Sequence, residues 1–275
     1  MLDKHLLCVT GLPRAGSTLL CQLLAHHPLV YYPGHSSPLC PTLTTLRSQL
    51  SNNDFCLTQM DADFHLGYQR LLNAFRGFVN GWFAETDQDW VVDKNRAWLQ
   101  HLELTLALDP NVRMLVCIRE LGQVYGSIEA QHQKTLLLDF PDQLAHLSRA
   151  DRFEQLLAPT GVVGAPLRSV QALQDLEDHM QQALYYVVFE QLVHDPLTVM
   201  QGIWDWLDLP STPIDPHYLK GQPHASDSYY RFKYSHQSQA GVQPPPLHSL
   251  PARFQQHLEA QFAWYYDIFY PRLSQ

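Results

Sequence analysis

The chain has 275 residues, 45% of them hydrophobic and 11% aromatic, and its formal net charge is −9. This length and composition favour one large α/β domain with a substantial core over two small domains. The negative charge speaks against a nucleic-acid-binding protein, because such proteins carry a broad basic surface. An anionic ligand would therefore have to be held by a few local cations.

Cysteine usage and hydropathy indicate a reducing compartment. The five cysteines form no CxxC pair, and an odd number cannot pair completely, so we expect free thiols. Residues 1–10 are too short and too interrupted for a signal peptide, and no run of about 18 uncharged apolar residues predicts a transmembrane helix. No spacing among the 15 histidines suggests a metal site. We expect a soluble cytoplasmic protein that binds no membrane.

Short apolar strands alternate with helical stretches along the chain. In chain order, the pattern predicts a strand at 5–10, a helix at 17–27, a strand at 29–32, helices at 42–50 and 64–83, a strand at 90–93, a helix at 98–108, a strand at 113–118, a helix beginning at Leu121, a strand at 184–189, and helices at 196–207 and 252–269. This alternation predicts a parallel sheet flanked by helices on both faces.

Two segments interrupt the alternation. Residues 134–182 are interpreted as a helical insertion with little strand signal. Residues 211–250, rich in Pro, His, Ser and aromatic residues, are interpreted as irregular surface structure and a candidate lid. With no internal repeat and no linker, we expect a single domain over residues 1–275.

The stretch GLPRAGST, residues 11–18, follows the first predicted strand and opens a helix, which is where a phosphate-binding loop lies. Gly11 allows a sharp turn, Gly16 lets the backbone approach a ligand, and the N–H groups of residues 15–19 would face an anion at the helix N-terminus. A nucleoside-triphosphate loop would have Lys where Ser17 stands. Asp93 is the only candidate Mg²⁺ ligand at a strand end, so a kinase is the weaker alternative.

With Pro13 and Arg14 inside the loop and Ser17 and Thr18 closing it, the stretch closely resembles the 5′-phosphosulfate loop of the sulfotransferases. These enzymes use 3′-phosphoadenosine 5′-phosphosulfate (PAPS) and release 3′,5′-ADP (PAP). The resemblance implies a P-loop-type sulfotransferase fold. It also implies a row of donor-binding residues, namely Pro13, Arg14, Ala15, Gly16, Ser17, Thr18 and Leu19.

The resemblance also demands a site for the 3′-phosphate, which the family builds from an Arg at a strand end and a later Ser. In CIRELGQVYGS, Arg119 ends the fourth strand and Ser127 follows eight residues later. Arginine is suited to forked recognition of a phosphate. The family likeness therefore assigns the 3′-phosphate to Arg119 and Ser127.

The turn DKNR, residues 93–96, follows the third strand, so Lys94 should emerge at the carboxyl edge of the sheet, where α/β proteins bind ligands. In the tyrosylprotein sulfotransferases and their bacterial relatives, the matching Lys touches the bridging oxygen of the donor. The likeness implies this catalytic role for Lys94. Arg96 is a weaker candidate for contact with the acceptor.

The likeness further implies a base. Matching His27-Pro28 without gaps places His35 where the tyrosylprotein group has its catalytic Glu, and other sulfotransferases use His. The Arg of that group becomes Ser37, which puts recognition of acidic peptides in doubt. A surface role for His35 is the alternative.

The segment VVFEQLVHDP, residues 187–196, is similar to a family segment whose aromatic residue lies near the adenine. The likeness assigns this role to Phe189, and a core position is the alternative. Arg231 and Lys233 are candidates for later contacts with the 3′-phosphate.

The resemblance covers residues 5–35, 90–130 and 184–210, the expected nucleotide-binding core. Residues 36–83, 134–182 and 211–250 would then form acceptor-side and lid segments. The implied reaction is metal-independent in-line transfer of a sulfuryl group from PAPS to a hydroxyl, with His35 as base and with Lys94 and Arg14 at the transferred group. The acceptor is a peptide or protein tyrosine, or alternatively a small-molecule or glycan hydroxyl. A P-loop kinase and a non-catalytic nucleotide-binding protein are the rival classes.

Overall fold

A computed structural model describes residues 1–134, 144, 146–219 and 241–271. Its five strands form one parallel sheet in the order β2-β3-β1-β4-β5. The strands are β1 (His5–Gly11), β2 (Val30–Tyr31), β3 (Trp90–Lys94), β4 (Arg113–Ile118) and β5 (Leu184–Val188). The predicted parallel sheet flanked by helices is therefore confirmed.

The central strand β1 pairs with β3 on one side and β4 on the other. In this register Val9 lies beside Lys94, and Gly11 lies beside Cys117. Apart from its first residue, β1 is buried throughout, as expected of a strand covered on both faces. Because all strands run the same way, the ends of β1, β3 and β4 meet at one edge, which we call the carboxyl edge.

Thirteen α-helices are present in the part of the chain that the structure describes. They are α1 (Ser17–Leu24), α2 (Leu39–Ser51), α3 (Asp54–Ala62), α4 (Phe64–Trp82), α5 (Leu102–Leu108), α6 (Leu121–Lys134), α7 (Arg149–Leu157), α8 (Gly164–Gln174), α9 (Asp178–Gln181), α10 (Phe189–His194), α11 (Pro196–Trp206), α12 (Ala252–Gln261) and α13 (Ala263–Phe269). A 3₁₀ helix at Arg96–Gln100 precedes α5.

Several predicted boundaries were wrong. The predicted helix at 98–108 is divided at His101, and the one at 252–269 is divided at Phe262, because each residue leaves the helical φ/ψ region. Helix α3 was not predicted; it has no buried residue, so the sequence carries no apolar stripe to reveal it. The fifth strand ends one residue early, and Phe189 begins α10 instead.

The described part of the segment 134–182 contains helices α7, α8 and α9 and no strand, in agreement with the helical character predicted for it. Helix α7 is fixed to α6 by a buried ion pair in which Nη2 and Nε of Arg152 contact the Glu129 carboxylate at 2.6 and 2.9 Å. Residues 211–219 and 241–250 contain no helix or strand. Arg231 and Lys233, the candidates for later phosphate contacts, lie outside the described residues.

All five cysteines are free thiols, and Cys8, Cys21, Cys40 and Cys117 are buried. Burial raises the pKa of Cys21 and of Cys40 to about 12 in each case. Within the described ranges, we find no helix with the length and apolar character of a membrane span.

Candidate functional site

The loop after β1 depends on a close approach between β1 and β4. Gly11 has a φ of 126°, and a Cβ at this position would overlap the carbonyl oxygen of Cys117 on β4. That same oxygen accepts a hydrogen bond of 3.0 Å from the Leu12 amide. Only glycine satisfies both the backbone angle and the spacing, so Gly11 fixes the point where the loop leaves the sheet.

The loop turns twice through the left-handed region before α1 begins at Ser17. Arg14 has a φ of 61° and Gly16 a φ of 81°. The first α1 bond runs from the Leu20 amide to the Gly16 carbonyl at 2.9 Å, so the amides before Leu20 precede the helical ladder. Ala15 is buried beneath the turn. The loop therefore presents a helix N-terminus at the carboxyl edge, where amides and dipole favour an anion.

Arg14, Arg119 and Ser127 come together at this edge, although they lie on the loop, at the end of β4 and on α6. Nε of Arg14 donates to Oγ of Ser127 at 3.1 Å. Nη1 of Arg119 donates to the carbonyl oxygen of Arg14 at 2.8 Å. We call these three residues the arginine cluster.

Arg119 is unusual in being a buried cation, with only 5% of its surface exposed. Among the described residues, no atom accepts a hydrogen bond from its buried Nε. Burial lowers the pKa of Arg119, the nearby Glu190 carboxylate raises it, and the charge of Arg14 lowers it again. Two adjacent guanidinium groups with an unused donor suit a multiply charged anion such as a phosphate.

Phe189 connects the loop with the arginine cluster. Its ring lies 4.6 Å from the guanidinium carbon of Arg119, a cation–π arrangement. A Cβ on Gly16 would overlap the same ring. Phe189 is buried at the first turn of α10, and the following residue, Glu190, accepts a hydrogen bond of 3.2 Å from the Glu120 amide. Contact with an adenine stays a prediction.

Lys94, the last residue of β3, reaches across to the first turn of α1. Its Nζ donates to Oγ1 of Thr18 at 2.7 Å. The carbonyl oxygen of Lys94 accepts a hydrogen bond of 3.0 Å from the Ser37 amide. The structure thus brings Lys94 to the loop and ties it to the segment that carries His35.

His35 lies in the turn between β2 and α2 and is exposed. Its Nδ1 is 3.2 Å from the carbonyl oxygen of Ser36. In the tautomer with hydrogen on Nδ1, that bond leaves Nε2 as the basic nitrogen. Ser37, by contrast, is only 3% exposed, and its Oγ accepts a hydrogen bond from the Leu39 amide.

Asp93, which sequence reasoning considered as a Mg²⁺ ligand, is completely buried behind Lys94. Its Oδ1 accepts a hydrogen bond of 2.7 Å from the indole Nε1 of Trp98. Burial raises the pKa of this carboxyl to about 6, while the nearby Ser37 hydroxyl, the Trp98 hydrogen bond and the charge of His35 act in the opposite direction. The carboxyl is therefore directed into the protein, which weakens the kinase alternative.

Two long-range contacts near the arginine cluster were not predicted from the sequence. Gln123 on α6 bonds the backbone of His248 twice, at 2.9 and 3.1 Å, which holds this segment against α6. Burial lowers the pKa of His248, and the charges of Arg119 and Arg14 lower it further. Tyr265 on α13 contacts the backbone of Arg119. In each contact the two residues lie more than 120 positions apart in the chain, and no local sequence pattern indicates such a contact.

Comparison with known proteins gives one family. The model of the sulfotransferase family matches residues 7–213, which is most of the chain. No curated protein matches the sequence.

Several solved structures share the fold at low sequence identity. The sulfotransferase domain from the curacin biosynthetic pathway is 19% identical, with a TM-score of 0.54 over 95% of this chain and 98% of that one. A sulfotransferase from Alicyclobacillus acidocaldarius is 14% identical, with a TM-score of 0.54 over 100% and 98%. One from Mycobacterium avium is 16% identical, with a TM-score of 0.51 over 99% and 79%.

Proposed function

The chain belongs to the sulfotransferase family, and from this premise we propose that it transfers a sulfuryl group from PAPS to a hydroxyl acceptor, within a single domain over residues 1–275. The observation that carries the proposal is the arginine cluster beside the loop. The loop and the cluster offer two anion sites at one edge of the sheet. A donor with phosphates at both the 5′ and 3′ positions needs such a pair, whereas ATP does not.

The residues present fit the two anionic ends of PAPS. We assign the 5′-phosphosulfate to the loop residues 13–19, whose amides precede the α1 ladder. We assign the 3′-phosphate to Arg119 and Ser127, because the buried Nε of Arg119 lacks an acceptor among the described residues. The adenine would lie beside Phe189. In this chain of net charge −9, the local cations rather than a general field would hold the donor.

PAPS supplies the sulfuryl group and a 5′-phosphate leaving group. Negative charge grows on the leaving oxygen, and donors placed where charge develops lower a barrier most. Lys94 is suited to this task, since its Nζ already lies 2.7 Å from Oγ1 of Thr18 at the loop. We assign the second cationic contact at the transferred group to Arg14. These groups would do what Mg²⁺ does in kinases.

We assign the base to His35. An exposed imidazole can reach an incoming acceptor and can take its proton at Nε2 when Nδ1 donates to the Ser36 carbonyl. The backbone bond between Ser37 and Lys94 supports the pairing, because it keeps the His35 turn beside the catalytic lysine.

Two acceptor classes follow from the family likeness, a tyrosine in a peptide and a small-molecule or glycan hydroxyl. Burial of Ser37 favours the second class, since this position cannot contact an acidic peptide as the matching arginine would. The acceptor-side segment 36–83 also exposes a group of large apolar side chains. They are Phe55, Leu57, Phe64, Leu66 and Tyr68. We therefore include apolar phenols and alcohols among the candidate acceptors.

The test is a screen with labelled PAPS across tyrosyl peptides, phenols, alcohols and glycans, preceded by a thermal-shift comparison. We expect stabilisation by 3′,5′-ADP without a divalent metal. A shift with ATP and Mg²⁺ but none with 3′,5′-ADP would establish the kinase alternative. Binding of 3′,5′-ADP without turnover on any acceptor would indicate a non-catalytic nucleotide-binding protein.

A further inference from the structure

A single phenol hydroxyl satisfies both backbone polar groups of Arg119. The hydroxyl of Tyr265 donates to the Arg119 carbonyl oxygen at 2.7 Å and accepts from the Arg119 amide at 3.2 Å. Tyr265 lies on α13 and is completely buried. The two residues are 146 positions apart in the chain.

The contact falls at a point where regular structure is interrupted. Arg119 follows the last residue of β4 and stands two residues before α6. A backbone amide and carbonyl buried at such a junction need partners outside the strand and helix ladders. The position of this backbone also determines whether the Arg119 guanidinium group can contact Arg14 and Phe189 as it does.

Other tyrosines near the end of α13 hold the same region, but through side chains. Tyr266 donates to Oε1 of Glu120 at 2.7 Å, and Tyr270 donates to Oε2 of Glu190 at 2.7 Å. Only Tyr265 of these three bonds the Arg119 backbone itself. This distinction makes Tyr265 the member whose loss should act on Arg119 most directly.

The protonation state of the Tyr265 hydroxyl suits a lasting structural hydrogen bond. Burial raises the pKa of Tyr265 well above its usual value, so the group stays protonated and keeps its donor at neutral pH. Phenylalanine would fill the same space and leave the Arg119 amide and carbonyl without this partner. Leaving buried polar groups unsatisfied costs more than the net worth of one hydrogen bond.

We propose that Tyr265 is a positioning residue for the 3′-phosphate site: its hydroxyl holds the Arg119 backbone so that the guanidinium group meets the 3′-phosphate of the donor. This inference rests on the proposed function, which assigns that phosphate to Arg119. It adds a specific task for helix α13, to which we assign no direct contact with the donor.

The test measures nucleotide affinity by calorimetry and needs no acceptor. In Tyr265→Phe, we expect the affinity for 3′,5′-ADP to fall about tenfold while the affinity for 5′-AMP, which lacks the 3′-phosphate, stays within about twofold. Tyr125→Phe is the matched control. Tyr125 is also completely buried, and its hydroxyl donates to the Arg149 carbonyl at 3.2 Å, away from Arg119. This control should keep the wild-type preference for 3′,5′-ADP.

An unchanged ratio of the two affinities in Tyr265→Phe would overturn the inference. If instead the wild-type protein does not prefer 3′,5′-ADP over 5′-AMP, the proposed function itself fails. If Tyr265→Phe does not fold, a second measurement tests the inference. It is the hydrogen exchange of the Arg119 amide in the wild-type protein without ligand. Protection of this amide is expected, and rapid exchange would show that Tyr265 does not hold it.

Discussion

Nε of Arg14 donates a hydrogen bond of 3.1 Å to Oγ of Ser127, although 113 positions separate the two residues in the chain. The carbonyl oxygen of the same arginine accepts from Arg119. One loop residue thus contacts both residues that we assign to the 3′-phosphate.

Replacing Arg119 should separate the two phosphates of the donor. We expect Arg119→Ala to lower the affinity for 3′,5′-ADP by about 10- to 100-fold, which is the usual contribution of a charge-assisted contact. The affinity for 5′-AMP should stay nearly unchanged. Arg113→Ala is the control, because Arg113 begins the same strand at the opposite edge and lies over Trp206. Calorimetry with both nucleotides measures the effect. Equal losses for the two ligands would mean that Arg119 does not hold the 3′-phosphate.

Removing the lysine at the end of β3 should slow the reaction more than it weakens binding. For Lys94→Ala we expect a loss of about 10²–10³ in kcat, with a much smaller change in the affinity for 3′,5′-ADP. Single-turnover kinetics with labelled PAPS and an acceptor from the screen give the rate. Lys4→Ala, which alters a lysine just before β1 at the far edge, should retain the wild-type rate. Near-full activity of Lys94→Ala would contradict the assignment.

The glycines of the chain offer a matched pair for testing the loop. Gly16 has a φ of 81° and no room for a Cβ beside Phe189, so Gly16→Ala should lower the free energy of unfolding by about 1–3 kcal/mol and weaken 3′,5′-ADP. Gly77 lies within α4, where a Cβ meets nothing within 4 Å. Gly77→Ala should be neutral or stabilise by up to about 1 kcal/mol. Denaturant unfolding compares them, and equal effects would argue against the described loop geometry.

The buried carboxyl of Asp93 should make stability depend on pH. Because burial raises its pKa from 3.8 to about 6, the folded state binds this proton more tightly than the unfolded state does. The stability contributed by the protonated carboxyl is therefore lost as pH rises from about 4 to about 6. Asp93→Asn does not titrate in this range, so it does not lose this stability. Its amide oxygen can still accept the hydrogen bond from Trp98. Relative to wild type, its free energy of unfolding should rise by up to about 3 kcal/mol between pH 4 and pH 7. A constant difference across that range would refute the prediction.

Much of the fold could be predicted because its signals are local. Strands that are buried on both faces appear in the sequence as short apolar runs. Gly11 and Gly16 indicate the loop without reference to distant parts of the chain. Strand ends in a parallel sheet share one edge, so the sequence alone predicts Lys94 and Arg119 near the loop. The register between Val9 and Lys94 is consistent with that expectation.

The parts that could not be predicted depend on contacts between distant segments. Nothing near Tyr265 indicates a bond to Arg119, and nothing near Phe189 indicates that its ring meets both Gly16 and Arg119. The direction of the Asp93 carboxyl follows from the position of Trp98, which tertiary packing decides. Helix α3 packs too little of its surface to leave a periodic pattern.

The distribution of the thiols has a practical consequence for solution experiments. Alkylating reagents need an accessible thiolate, and four of the five cysteines are buried, two of them with a pKa of about 12. Cys56, on the exposed helix α3, is partly accessible. A maleimide dye should therefore mark the folded wild-type protein at one position, within the segment 36–83 that we propose for the acceptor side. Such a dye would test whether acceptors bind near this segment without any engineered cysteine, and labelling of the remaining four thiols would time global unfolding.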